Sequence, residues 1–392
     1  MLSAIKNPRV LHIITLFSIG GATETVVSIA NGLQLHGYNV CILTGPNIPS
    51  EGNMFDQAET SSLKVIIFPS IRRKINPIFD LIALFQLTRF INKGDYQIVH
   101  THSSKAGIIG RLAARLAGIQ CIIHTIHGLP FHEYQRTINR KLYIIIERFA
   151  ARFTSKLIAV SHRIVADALK AKVGKADQYI VIRSGFDIEN FKGASGNTSQ
   201  LKSALRIQST DFVIGKISRL SRLKGHEDII RLMPQLIAEF PKIKVLFVGD
   251  GEIRQELTEL VKLLRLEESV IFAGMVSPGD IPNYLAIMDM VVHTSLHEGL
   301  ARVIAQALFM GKPVISYNLD GSPEVINDHL NGRLVTPLHR DELYDAIKEI
   351  ILGYDTFVKN CSNGRDEIAR EFDADIMIDE IIHLYTGMIQ SD

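Results

Sequence analysis

The sequence predicts an α/β protein of two doubly wound parallel-sheet domains, and three observations carry that expectation. Apolar strand-like runs alternate with longer stretches of helical period along nearly the whole chain, the pattern of β–α units joined into parallel sheets. A polar, Gly- and Ser-rich segment, Gly193-Ala194-Ser195-Gly196-Asn197-Thr198-Ser199, interrupts the alternation, which then restarts; such a segment is a natural domain boundary. Finally, 392 residues are too many for one ordinary core and suit two.

Composition narrows the class further. With 46% hydrophobic and 21% charged residues the chain is globular, and no apolar run approaches the roughly 20 residues needed to cross a bilayer. Asn7, Pro8 and Arg9 lead straight into a strand pattern, so no signal peptide is read at the start. Cys41, Cys121 and Cys361 are scattered, without metal or redox spacing, and read as reduced core residues of a cytoplasmic protein. The net charge of +2 hides an asymmetry: 22 Lys and Arg face 12 Asp and Glu through residue 190, against 21 and 29 beyond it. A basic half points to nucleic acid, an anionic membrane surface or a phosphorylated substrate. Nucleic acid is the weakest of these, since there is no Trp and no aromatic platform among the basic residues.

In the first half, a strand over 9–15 runs into the turn Gly20-Gly21 and a helix to Leu35, which Gly37 ends before a strand at 39–43. A glycine pair between strand and helix lets backbone amides approach a phosphate closely; a plain tight turn is the other reading, and the spacing of the dinucleotide fingerprint is absent. After the strand at 65–68, Arg72-Arg73-Lys74 reads as a solvated loop, with phospholipid contact as the alternative, and a helix follows over 77–92. The strands ending in His100-Thr101-His102 and His124-Thr125-Ile126-His127 carry four histidines. Zinc is one reading; packing or hydrogen bonding is favoured, because no Cys or carboxylate lies among them and alternation turns His100 and His102 to one face. The helix over 138–153 has an apolar stripe of Ile138, Leu142, Ile145, Ile146 and Phe149, with Arg140, Lys141, Arg148 and Arg152 away from it. Strands at 157–160 and 179–182 close this half.

In the second half, a strand over 212–218 leads into Arg219-Leu220-Ser221-Arg222-Leu223-Lys224-Gly225 and a helix from Glu227. An Arg and a Lys five apart at a helix start can clamp a diphosphate, the guanidinium holding two oxygens and the ammonium adding a point charge; two surface cations are the bland reading. Strands at 244–248 and 270–276 flank the turn Gly249-Asp250-Gly251 and a helix over 253–264. The strand at 290–292 passes through His297-Glu298-Gly299 into a helix that Gly311 and Pro313 terminate, with Gln306 eight positions after Glu298. A carboxylate in such a loop can hold ligand hydroxyls, or simply cap the helix. Beyond the strand at 313–316, Ser322 reads as an N-cap with Pro323 at the first helical position. A last helix covers 374–388. Read without reference to any family, glycine turns, an Arg/Lys pair and a carboxylate at strand ends imply an anionic, hydroxyl-rich ligand such as a nucleotide diphosphate sugar.

These segments, in this order over residues 8–385, resemble the family 4 retaining glycosyltransferases of the GT-B fold, in particular bacterial enzymes of surface-polysaccharide biosynthesis. The resemblance rests on the Arg219…Lys224-Gly225 segment, the histidine-bearing strand ends, and the Glu298…Gln306 spacing, where the family has Glu at both positions. It implies two Rossmann-like domains facing a cleft: an acceptor-side domain over 1–190, a nucleotide-sugar domain over 191–373, and a helix over 374–392 packing back on the first. It implies that Arg219 and Lys224 hold the donor phosphates in place of a metal, helped by Gly20 and Gly21, that Glu298 with the amides of Gly299, Leu300 and Ala301 holds the sugar, and that His127 faces the sugar. Gly249, Gly274, Met275 and Val276 are implied on the nucleotide side, and Gln306 at the ribose, where it keeps one acceptor, loses a charge and adds donors. The implied reaction moves a sugar, with retention, from a nucleotide diphosphate sugar, UDP-linked by expectation, to a hydroxyl of a lipid-linked or polysaccharide acceptor. No metal or other cofactor is expected, and contact of the basic half with an anionic membrane at the inner face of the cytoplasmic membrane stays open. The alternatives are a catalytically silent nucleotide-sugar-binding partner or sensor and a nucleotide-sugar 2-epimerase.

Overall fold

In a parallel sheet covered on both faces, strands are apolar throughout rather than alternating. The strands of this chain follow that rule: β4 (Ile98–His102) and β5 (Cys121–Ile126) are buried at every position. With β1 (Arg9–Ile14), β2 (Asn39–Thr44), β3 (Lys64–Ile67), β6 (Lys156–Ala159) and β7 (Tyr179–Val181) they form a seven-stranded sheet in the order β3-β2-β1-β4-β5-β6-β7. The computed structural model describes residues 7–48, 51–194 and 198–391. This sheet belongs to a compact unit made of the residues through Gly185 and those from Ala374 onward; Phe186–Asp373 form the second unit.

Each face of the first sheet has its own core. On one side Val10, Ile42, Ile98 and Ile123 pack with the helix Gly21–Leu35 and the C-terminal helix Ala374–Ser391. A Cβ on Gly32 would overlap the side chain of Ile378, so the approach of these two helices depends on glycine. On the other side Leu11, Ile13, Val99 and Ile122 pack with Ala83 and Leu87 of the helix Pro77–Lys93 and Ala113 of the helix Ser104–Leu116.

The second unit repeats the plan with six strands: β8 (Phe212–Ile217), β9 (Ile243–Val248), β10 (Val270–Gly274), β11 (Met290–His293), β12 (Val314–Tyr317) and β13 (Gly332–Val335), in the order β10-β9-β8-β11-β12-β13. All pairings in both sheets are parallel. In both units the strand order reverses beside the first strand, between β1 and β4 and between β8 and β11. Loops at the carboxyl ends of such strands splay apart and leave a crevice, the usual ligand position in open α/β sheets.

The expected pair of doubly wound parallel sheets is present. Ser195, Gly196 and Asn197 of the polar boundary segment lie outside the described residues. Ser322 is not an N-cap: it opens a short 3-10 turn, Ser322–Glu324, preceded by Gly321 without a side-chain cap. Its hydroxyl instead accepts from Ser316 Oγ at 2.9 Å, and the amides that a cap at Ser322 would serve, those of Glu324 and Val325, already donate to the Gly321 and Ser322 carbonyls. The helix Thr137–Ala151 turns its apolar stripe outward. Its inner face carries Ala150, Ala151 and Glu147, and Glu147 pairs with the buried Arg111 at 2.7 Å.

Candidate active site

The second unit brings two of the expected site residues into direct contact at its switch point. Lys224 stands in the loop after β8 and Glu298 in the loop after β11, and Lys224 Nζ donates to Glu298 Oε1. Both side chains keep about a quarter of their surface open, 23% and 27%, so the pair is reachable from solvent. The two loops are stitched together by backbone. Leu296 N–H donates to the Leu223 carbonyl at 2.7 Å, and Gly225 adopts φ 68° where a Cβ would overlap the Thr294 carbonyl. Any larger residue there would force the loops apart. Asp320 fixes the other side of the carboxylate's loop by accepting from Glu298 N–H at 2.6 Å.

Beneath this pair lies Lys216, which the sequence reading passed over. It is fully buried on β8, donating from Nζ to Thr294 Oγ1 at 3.1 Å while Thr294 Oγ1 donates to the Gly225 carbonyl at 2.7 Å. The available signal was a lone Lys inside the apolar run Phe212–Ile217, since a buried ammonium needs a reason to be there. Burial, with Lys224 adding repulsion, drives Lys216 down to about 7. Burial alone would raise the Glu298 carboxyl, but Lys224 and His293 outweigh it and hold Glu298 at about 2. Burial holds His293 at about 3 and His226 at about 2, both with help from the two lysines and His293 against the pull of Glu298. At neutral pH the site therefore presents the Glu298 carboxylate, with Lys224 beside it, over neutral imidazoles.

The remaining expected residues of this unit fall around the same edge. Arg219 is half-buried two positions beyond β8, and its neighbours are pinned: Ser218 N–H donates to the Val248 carbonyl and Leu220 N–H to the Asp250 carbonyl, both at 3.0 Å. Gly249 and Gly274 meet through an N–H···O bond of 2.8 Å; Gly274 has φ 81°, Met275 is exposed and Val276 half-buried. Gly299 and Leu300 are buried and Ala301 is half-buried and extended. Gln306 is buried on the helix Arg302–Phe309. That helix starts four residues after Glu298, so an extended loop and one turn of helix separate Glu298 from Gln306.

In the first unit, Gly20 and Gly21 head the helix Gly21–Leu35, whose first turn has no side-chain cap; its amides point out from the carboxyl edge of β1. His127 follows β5 and ends a chain of imidazoles: His12 Nδ1 and His102 Nε2 are 3.0 Å apart, His102 Nδ1 and His127 Nε2 3.2 Å. Each link fixes which nitrogen of the next ring carries the proton. His100 sits beside them, 4.2 Å between ring centroids from His102, bonded to Tyr385 OH at 2.6 Å and Thr125 Oγ1 at 2.7 Å. His12, His100 and His102 offer ring nitrogens within 4.8 Å of one another, close enough to hold a metal ion. Five of those six nitrogens already have hydrogen-bond partners; His12 Nε2 has none. The cluster thus fits the hydrogen-bonding reading better than a convergent ligand set. Ser103, at φ 60° and ψ 157°, stores backbone strain at this edge while its hydroxyl bonds Thr15 Oγ1 at 2.7 Å. A small open pocket lies beside it, lined by Ser103, His124, His127, Leu129 and Glu147 among others.

Comparison with known proteins agrees with this geometry. Residues 19–190 match the model of Glycosyltransferase Family 4, and residues 197–366 that of Glycosyl transferases group 1. The chain is similar to the UDP-Gal:alpha-D-GlcNAc-diphosphoundecaprenol alpha-1,3-galactosyltransferase of Escherichia coli, with 30% identity over 84% of this chain and 85% of that protein. It is also similar to the putative glycosyltransferase EpsD of Bacillus subtilis, with 28% identity over 68% and 70%. Among solved structures, HepE of Anabaena in complex with UDP and glucose superposes with a TM-score of 0.84 at 25% identity, over 97% of this chain and all of that one.

Proposed function

The chain belongs to glycosyltransferase family 4, and from that premise we propose that it transfers a sugar, with retention and without a metal ion, from a UDP-sugar to a sugar hydroxyl on a polyprenyl-diphosphate lipid. The observation that carries the reading is the Lys224–Glu298 pair at the switch point of the second sheet. A diphosphate draws the ammonium and a sugar hydroxyl draws the carboxylate, so one ligand that carries both groups satisfies both halves of the pair. UDP as the nucleotide is supported by the UDP complexes of HepE, and the lipid-linked acceptor by the Escherichia coli relative.

In the proposed reaction the bond between the anomeric carbon and the phosphate oxygen breaks and negative charge gathers on the leaving UDP. Lys224 and Arg219 stabilise that charge, and the neighbouring Lys216 adds a fraction of a charge near neutral pH. The acceptor oxygen bonds to the anomeric carbon on the face that UDP leaves, and its proton passes to the departing phosphate. Configuration is thereby retained, and the products are the glycoside and UDP. Glu298, with the amides of Gly299, Leu300 and Ala301, orients the sugar. Gly249, Gly274, Met275 and Val276 are assigned to the nucleotide, Gln306 to the ribose, and His127, Gly20 and Gly21 of the first unit to the donor. These assignments follow the family's motif positions. A lipid-linked acceptor places the work at the inner face of the cytoplasmic membrane, and no helix among the described residues is long and apolar enough to cross it.

The test is incubation with UDP-, GDP- and dTDP-sugars in EDTA, with and without a bacterial lipid extract, quantifying free nucleotide and sugar-modified lipid. The expected result is lipid-dependent release of UDP from one donor, with the same sugar appearing on lipid. Donor binding with no transfer to any lipid fraction would favour the silent-partner reading, and conversion of the donor to its C2 epimer the epimerase.

A further inference from the structure

We propose that the outer faces of the helices Pro77–Lys93 and Thr137–Ala151 form a docking surface for an anionic lipid bilayer. The first helix buries Ala83, Leu87 and Ile91 and exposes Ile78, Leu81, Ile82 and Phe85 at 72, 68, 41 and 69%. At 100° per residue those four form one stripe directly opposite Leu87. The second helix buries Glu147, Ala150 and Ala151 and exposes Ile138, Leu142, Ile145 and Phe149 at 80, 51, 60 and 51%, again one stripe opposite the buried face. Scattered exposed apolar residues are ordinary; two whole stripes on the two helices that flank Ser104–Leu116 are not. Both helices pack against Ser104–Leu116, in the layer that covers one face of the first sheet, so the two stripes face the same way.

Charge selects the occupant. Each helix has a single acid. Asp80 pairs with Lys105 at 2.6 Å, and Glu147 turns inward to Arg111 at 2.7 Å. The exposed charges on the outer sides are all basic: Arg89 and Lys93 continue the first stripe, while Lys141, Arg148 and Arg152 edge the second. Long cationic side chains beside an apolar stripe suit a bilayer, because their stems lie along hydrocarbon while their heads reach lipid phosphates. Both helices follow strands of a parallel sheet and so start at its carboxyl edge, where His127 and the pocket beside Glu147 lie. A bilayer on this surface delivers a lipid-borne acceptor to that edge. The inference deepens the reading of a lipid-linked acceptor, but binding is measured without donor or acceptor and can fail on its own.

The experiment is co-sedimentation of the full chain with vesicles of phosphatidylglycerol and phosphatidylcholine, against vesicles of phosphatidylcholine alone. The variants are L81S/F85S, I138S/I145S and K141Q/R152Q, with thermal melts and UDP binding as checks that each remains folded. The expected result is binding to the anionic vesicles that weakens with salt, falls tenfold or more in each apolar variant, and falls roughly tenfold in the basic variant, with UDP binding unchanged throughout. The inference is overturned if the wild type stays in the supernatant, if the apolar variants bind as the wild type does, or if the stripes instead mediate a concentration-dependent dimer that these substitutions dissolve. Transfer to a water-soluble acceptor analogue, equal in wild type and variants, separates failure of the surface from failure of the enzyme assignment.

Discussion

Lys224 and Glu298 are 74 residues apart in sequence and touch in the structure. Their contact explains why neither substitution should be mild. Lys224→Met removes both the proposed phosphate ligand and the charge that holds Glu298 down at about 2; kcat/KM for transfer should fall about 100-fold or more, in line with loss of one preorganised charge-stabilising donor. Gln306→Glu, on the buried face of its helix, should tighten UDP-sugar binding or leave it unchanged, as read by the donor KM; collapse of activity would contradict the ribose assignment. The motif spacing made Arg219, Lys224 and Glu298 legible as residues to test. It could not show that the lysine and the glutamate pair, because loops from different strands meet only when the sheet order is known. Lys216 was missed for a similar reason: its strand reads as plain core, and only the neighbours across the sheet give the ammonium its partner.

At the scale of elements, strand and helix positions were largely legible, because buried parallel strands and the helices between them have distinct periods. β13 and the helices Arg340–Leu352, Tyr354–Asn363 and Arg365–Phe372 were not assigned in advance. The direction in which a helix faces was the harder matter. A helical wheel finds the stripe of Thr137–Ala151 but not which side meets the protein, and here the buried Arg111–Glu147 pair decides it. Removing one member of a buried pair strands the other's charge. Arg111→Ala should therefore destabilise the first unit by about 3–5 kcal/mol, measured by urea unfolding, whereas Ile145→Ser on the outer stripe of the same helix should change stability by less than about 0.5 kcal/mol. Equal effects would place the inner and outer faces wrongly.

Across the molecule, six histidines among the described residues are held by burial below their ordinary value: His12, His100, His102 and His124 in the first unit, His226 and His293 in the second. Below about pH 6.5 the unfolded chain protonates them while the folded chain does not. Unfolding then takes up protons, so stability is full above pH 6.5 and is lost as pH falls from 6.5 toward 3. The urea midpoint should drop steeply between pH 7 and pH 5, and a flat profile would mean that these rings are solvated. The doubly wound sheets were legible from the alternation of strands and helices, and the family from the order of the motifs. The histidine core was legible in part: alternation set His100 and His102 on one face, but only the register that sets His12 beside His100 shows that rings from separate strands share it.

The most direct measurement is a calorimetric titration of UDP into the wild type, Lys224→Met and Arg219→Met, all in EDTA. Metal-independent binding to the wild type is expected, weakened about 10- to 100-fold in each variant, the loss expected for one charge-assisted contact to phosphate. Binding that vanishes with EDTA, or that both variants retain in full, would contradict a cationic donor site built from these two residues.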